Sequence, residues 1–175
     1  MRDTANVAAH VLPDVLAPGL KIVFCGTAAG TVSAARGAYY AHPQNRFWPA
    51  LHAAGLTPRL LKPEEFAELP QWGLGLTDIA KHVSGMDREL LPGVLGREAC
   101  AALKAKIEAA KPRWLAFTSL NAGRRYLGRA ADFGEQAERI GRTRVWLLPS
   151  PSPTAGWNWD RHKHWWQALA DAARE

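Results

Sequence analysis

The chain has 175 residues, a net charge of +6 at pH 7, 47% hydrophobic and 22% charged residues, the profile of one globular domain with a sizeable core. Its two cysteines, Cys25 and Cys100, form no C-x-x-C pair, which argues against zinc and iron–sulfur sites, and no run approaches the ~18 apolar residues of a membrane span. The start, Met1 to Asn6, is polar without an apolar signal core, so a soluble, intracellular, cytoplasmic protein is expected, and the basic balance makes a polyanion a candidate partner.

Residues 1–20 read as an irregular arm, with Pro13 and Pro18 limiting helix. Residues 1–13 are set apart from a single domain over 14–175. Lys21–Cys25 is apolar, β-branched at Ile22 and Val23, and too short for a helix, so it reads as a buried strand. Gly26-Thr27-Ala28-Ala29-Gly30 follows. Its small residues let the backbone turn sharply and approach a docked group. In an α/β sheet, ligands bind at the carboxyl ends of strands.

Residues 26–44 are expected to form one long functional loop, well above the usual ~4–6 residues. Its end runs into Tyr39-Tyr40-Ala41-His42-Pro43-Gln44-Asn45-Arg46-Phe47-Trp48, which packs aromatic, polar and basic groups together. Asn45 suits the cap of a helix reaching about Ala54, stopped by Gly55. Pro63-Glu64-Glu65 suits the first turn of a short helix, proline first and acids next.

Gly73 to Ile79 reads as a second strand ending near Asp78, followed by a Gly- and Pro-punctuated loop to about Gly96. Arg97–Lys111 spaces Leu103, Ile107 and Ala110 as a helix that Pro112 ends. Trp114–Thr118 is a third strand, Asn121–Leu127 a short helix and Thr143–Leu148 a fourth strand. The loop Pro149–Gly156 precedes a last helix from about Asp160 to Arg174, with Trp166 and Leu169 on its inner face. The alternation predicts an α/β fold: a mostly parallel four-stranded sheet covered on both faces. Loops 26–44, 78–92 and 149–158 would share one edge. Eight tryptophans, several beside Arg, Lys or His, are a mixture that stacks on bases and holds phosphates.

Two runs, Asp14-Val15-Leu16-Ala17-Pro18-Gly19-Leu20-Lys21-Ile22-Val23-Phe24-Cys25-Gly26 and Ala41-His42-Pro43-Gln44-Asn45-Arg46-Phe47-Trp48, resemble the mismatch-specific uracil-DNA glycosylases. Gly75-Leu76-Thr77-Asp78-Ile79 is similar to the strand that carries the base-reading Asn in related enzymes. Leu148-Pro149-Ser150-Pro151-Ser152-Pro153 is similar to the superfamily's loop that clamps DNA. The likeness runs from about residue 14 to 170.

It implies a three-layer α/β/α sandwich. It further implies hydrolysis of the bond joining an unwanted base to deoxyribose, after extrusion of that base into a pocket. The implied partner is DNA containing deaminated bases, uracil first, in base excision repair. A monomer is expected, with no cofactor and no metal.

Three positions depart from that pattern. Ala28 and Ala29 stand where the family places a water-positioning Asn or Asp and a Pro. Ser150 stands where relatives have Asn or His, and Asp78 replaces the base-reading Asn. A branch that excises hypoxanthine also lacks the first carboxamide, and its Tyr-Tyr-Ala-His-Pro and Pro-Ser-x-Ser-Pro segments look much like those here. The double alanine also leaves open a damaged-DNA binding module without catalysis.

Glycosidic cleavage builds positive charge on the sugar and negative charge on the departing base, so the protein must supply donors to the base and hold a water. No lysine falls on a motif position to form a Schiff base, so the reaction is monofunctional. Asp78, His42 and Asn45 are the catalytic candidates. The main chain of Gly26, Thr27, Ala28, Ala29 and Gly30 is a candidate for the base oxygen, Tyr40 for stacking, and Ser150 for base contact. An ionised Asp78 only accepts hydrogen bonds, so the donor to the base carbonyl must come from backbone or from Asn121. Alternatively Asp78 holds the water, or merely caps the strand end. Ser152, Thr154, Trp157, Arg161 and Lys163, with Arg36 and Arg46, are candidates for DNA contact. The stretch Thr154 to Trp159 has no aliphatic side chain to fill a vacated stack, so either Trp157 stacks there or single-stranded DNA is preferred.

Overall fold

The computed structural model describes residues 10–175 apart from Pro92 and Trp157. Its centre is a five-stranded sheet: β1 Ile22–Gly26, β2 Leu74–Asp78, β3 Trp114–Phe117, β4 Gly134–Ile140 and β5 Thr143–Leu147. The spatial order is β2-β1-β3-β5-β4. β1 pairs in parallel with β2 and β3, β3 with β5, and only β4 runs antiparallel.

Side chains alternate across the strands and separate two cores. On one face Phe24, Leu76 and Trp146 pack with Phe47, Leu51, Trp166 and Leu169. The latter belong to α2 (Phe47–Ala53) and α6 (His164–Ala173). On the other face Val23, Phe117 and Leu147 meet Leu103, Ile107 and Ala122. These come from α3 (Arg97–Ala110) and α4 (Leu120–Leu127). The result is the α/β/α layering the alternation predicts. Each such buried apolar side chain contributes ~1.5–3 kcal/mol from surface removed from water.

Three expectations change. First, the sheet has five strands rather than four. β4 is half exposed and carries Glu135, Gln136, Glu138 and Arg139, so it lacks the apolar run that marks a buried strand. Arg144 binds Glu135 and Arg129 binds Glu138, so charge covers this edge. Second, the 26–44 loop contains a six-residue helix, α1 Thr31–Arg36, closed by Gly37 at φ 67°. No side chain caps its start, so nothing in the sequence announced it. Third, the last helix is two: α5 Asn158–His162 and α6, broken around Lys163. The Pro63 segment is a 3-10 helix, Pro63–Trp72. Residues 10–20 are irregular, yet Leu12 is 1% exposed and Val15 pairs with Leu76 beside β2.

Gly123 of α4 lies directly on β5: a Cβ there would sit 2.4 Å from Leu147 Cγ. A Gly123→Ala variant is expected to unfold ~1–3 kcal/mol more easily despite alanine's higher helix propensity. Denaturant titration checks this, and an unchanged midpoint would contradict the close packing.

Candidate functional site

β1 lies between β2 and β3, so the chain leaves it toward one side and returns on the other. Such a reversal opens a crevice at the carboxyl ends of the strands. There a pocket of about 630 Å³ is lined by the 26–33 segment, Tyr40, His42, Asn45, Asp78, residues 85–89, Thr118, Ser119 and residues 150–154.

Three side chains meet over Gly26 on its floor. A Cβ at Gly26 would lie 2.7 Å from Asp78 Oδ1, 3.4 Å from the Tyr40 hydroxyl and 3.5 Å from Thr118 Oγ1. Glycine here makes room for the carboxyl. The Tyr40 hydroxyl and Thr118 Oγ1 are hydrogen-bonded at 3.0 Å. One face of the Tyr40 ring stacks on Phe47 at 4.0 Å. Tyr40 holds φ 51°, a left-handed conformation that costs a non-glycine residue ~1–3 kcal/mol.

Asp78 is 5% exposed. Its burial raises its pKa from the ordinary 3.8 to about 7, against the lowering influence of Lys81 and of the Gly26 main chain. Lys81 Nζ lies 4.0 Å from Asp78 Oδ2 but nearer, at 3.0 Å, to Asp14 Oδ1. It also donates to the Tyr39 hydroxyl at 3.0 Å. Lys106 Nζ sits 2.6 Å from Asp14 Oδ2, and Thr77 Oγ1 donates to Asp14 Oδ1 at 2.7 Å. Asp14 therefore holds both lysines, and its own pKa is lowered by them despite partial burial.

The walls are pinned loops. His42 Nδ1 accepts from the Gln44 amide at 3.0 Å, so in the neutral ring the proton sits on Nε2. The N-cap of α2 is Arg46 rather than Asn45; from one residue earlier Asn45 Oδ1 accepts from the Phe47 amide, the first of the helix, at 2.9 Å. Arg46 holds the 150–154 loop twice, its amide donating to Pro151 O at 2.9 Å and its Nη1 to Ser152 O at 3.4 Å. Trp166 Nε1 donates to Pro149 O at 3.1 Å. Ser150 Oγ accepts from the Ser152 amide, and Ser152 and Thr154 share a hydroxyl hydrogen bond.

Twelve of the residues singled out by sequence line this one pocket: Gly26 to Gly30, Tyr40, His42, Asn45, Asp78, Ser150, Ser152 and Thr154. Asn121 does not line it; its Nδ2 donates at 2.6 Å to Oδ2 of Asp87, a residue of the pocket wall. Arg161 and Lys163 are exposed, outside the pocket, and Lys163 pairs with Asp160 at 3.3 Å. Arg36 pairs with Glu64 at 2.6 Å. Trp157 lies outside the described residues. Among the described residues no His/Cys/Asp/Glu cluster suits a metal, and no helix is long and apolar enough to cross a membrane.

The family model described as the Uracil DNA glycosylase superfamily matches residues 13–173. The chain belongs to this superfamily. Its fold is also similar to the solution NMR structure of a "putative Uracil DNA glycosylase" from Methanosarcina acetivorans, at TM-score 0.61 and 20% identity, over 96% of this chain and 99% of that one.

Two parts of the pocket include no residue singled out from the sequence, although the 78–92 loop was expected at this edge. Thr118 and Ser119 follow the apolar strand β3 directly, and a polar pair at a strand's carboxyl end was a usable signal. The other is the turn around Asp87–Glu89, whose Asp87 accepts from Thr27 Oγ1 at 2.5 Å. Sixty residues separate that pair, and no local pattern links them.

The raised pKa of Asp78 makes stability depend on pH. The folded chain holds that proton more tightly than the unfolded chain, so the associated stability is complete below pH 3.8 and is lost as pH rises through about 7. Asp78→Asn cannot ionise. It should match the wild type near pH 4 and exceed it by on the order of 2–4 kcal/mol above pH 8. Thermal unfolding at both pH values tests this; equal stabilities at alkaline pH would show that the carboxyl ionises freely.

Proposed function

We propose that this superfamily member is a monofunctional DNA glycosylase that takes an everted deaminated base, uracil first, into the pocket and hydrolyses its N-glycosidic bond. The observation that carries the reading is the convergence of Asp78, Tyr40 and Thr118 over Gly26. A base lying on the free face of Tyr40 gains ~1–3 kcal/mol from stacking. Its edge then meets the Asp78 carboxyl. A protonated carboxyl offers one donor and one acceptor, the same pair a carboxamide presents. It accepts N3–H of uracil and donates to the neighbouring carbonyl oxygen. The obstacle posed by an acceptor-only carboxylate is thereby removed, without help from Asn121.

Hypoxanthine presents the same N–H and C=O edge through N1 and O6, so a pocket of this volume supports it as a second substrate. The mismatch-specific likeness of residues 41–48 supports action on mismatched or single-stranded DNA, where extrusion costs least. Ser152 and Thr154 on the pinned 150–154 loop are suited to phosphate contact, which positions rather than reads.

Single-turnover excision from oligonucleotides carrying uracil or hypoxanthine, single- and double-stranded, tests the proposal. The wild-type rate should fall as pH rises through about 7, as Asp78 loses the proton it donates. Lys81, Asp14, Lys106, Tyr39 and Tyr40 are the other titratable groups around it. Asp78→Asn should retain excision and flatten that limb, and Asp78→Leu should lose about 100-fold or more. An active Asp78→Leu variant would remove Asp78 from the base site. Binding without base release would select a DNA-binding module instead.

A further inference from the structure

We infer that Asp87 holds the water that attacks the sugar. This rests on the glycosylase reading above and names the residue that completes it.

Hydrolysis through an oxocarbenium-like transition state is favoured by a carboxylate beside the sugar. That carboxylate lowers the energy of the developing positive charge and takes a proton from water. Among the described residues, three carboxyl groups line the pocket: Asp78, Asp87 and Glu89. Asp78 is buried on the floor, where the base edge lies. Glu89 folds back over its own turn, its Oε2 3.2 Å from where a Gly85 Cβ would stand. Asp87 is exposed on the wall and fixed from two sides, by Thr27 Oγ1 at 2.5 Å and Asn121 Nδ2 at 2.6 Å. Each oxygen accepts one hydrogen bond, the arrangement of a carboxylate, and each keeps a further acceptor site.

The two anchors come from different elements, Thr27 from the loop after β1 and Asn121 from the first turn of α4, so the carboxylate is held without relying on its own turn alone. The turn is itself tied down, since the Gly85 amide donates to Ala29 O at 2.9 Å. Thr27 adjoins Ala28, whose methyl group can hold no water. The missing polar group of the first loop is thus supplied from the second. With the base on the buried floor, its sugar lies toward the exposed rim where Asp87 stands.

In the step, water oxygen bonds to C1′ as the bond from C1′ to the base nitrogen breaks. The electron pair leaves on the base. Asp87 takes one proton from the water and returns it to solvent, and the released base gains one proton. The products are free base and an abasic sugar hemiacetal.

The test is single-turnover release of uracil from a single-stranded oligonucleotide, with binding measured separately on an uncleavable 2′-fluoro analogue. Asp87→Asn should lose about 100-fold in rate while its dissociation constant changes less than about threefold. Asp87→Ala should lose at least as much and should recover rate when sodium formate is added, with no formate effect on the wild type. Asp87→Asn releasing base at the wild-type rate would overturn this inference and leave the glycosylase reading intact. Equal losses in binding and rate, with no formate rescue, would also overturn it, since that marks a merely structural clasp. A wild-type protein that releases neither uracil nor hypoxanthine would overturn both.

Discussion

The structure turns on an acid that has been taken out of water. Asp78 ends a fully buried strand and lies against the Cα of Gly26 on the next one. Desolvation is the largest influence on it, and among the described residues no cation is close enough to cancel that influence. Lys81 is the nearest, but Asp14 draws it away, and Asp14 also holds Lys106. A buried ion pair must satisfy its own desolvation first. The Asp14 cluster does so internally, with Thr77 and Tyr39 filling the remaining valences. Asp78 is left as the group whose pKa rises, to about 7, so that near neutral pH it is divided between the protonated and the ionised form. In the protonated form the floor of the pocket presents a carboxyl with amide-like hydrogen bonding.

Around that floor the loops are rigid for separate reasons. Asn45 binds the first amide of α2, and Arg46 then binds the main chain of the 150–154 loop. Trp166 ties the same loop to the helix layer beneath it. The loop after β2 is tied to the loop after β1 by Thr27 and Ala29. Preorganised groups of this kind need little rearrangement when charge develops on a substrate. The strained Tyr40 backbone is held in place by stacking on Phe47 and by the Thr118 contact.

Much of this was legible in the residues. Ile22 to Cys25 reads as a strand because nothing else tolerates so short an apolar run, and the glycines after it mark a site of close approach. The alternation of strands and helices gave the layers. The positions of Tyr40, Asp78 and Ser152 followed from motif likeness. The strand Gly134–Ile140 stayed hidden because its exposed side is charged, and α1 because its six residues carry no capping side chain. The raised pKa of Asp78 was hidden for a different reason. It comes first from burial, with Asp14 adding to it and Lys81 and Lys106 opposing it, and that burial is created only by packing. The clasp on Asp87 was hidden likewise, since its partners Thr27 and Asn121 lie far away in the chain, on the loop after β1 and in the first turn of α4.

The two borders of the sheet have a further consequence. On one side Val15 exchanges main-chain hydrogen bonds with Leu76, occupying the middle of β2. On the other, ion pairs of Arg129 and Arg144 lie along β4. An unprotected border recruits strands from neighbouring molecules. Here one flank is plugged by the chain's own leading segment and the other is guarded by charge. The pocket opens at the carboxyl ends of the strands and not along either border, so it can take a ligand without baring a strand edge.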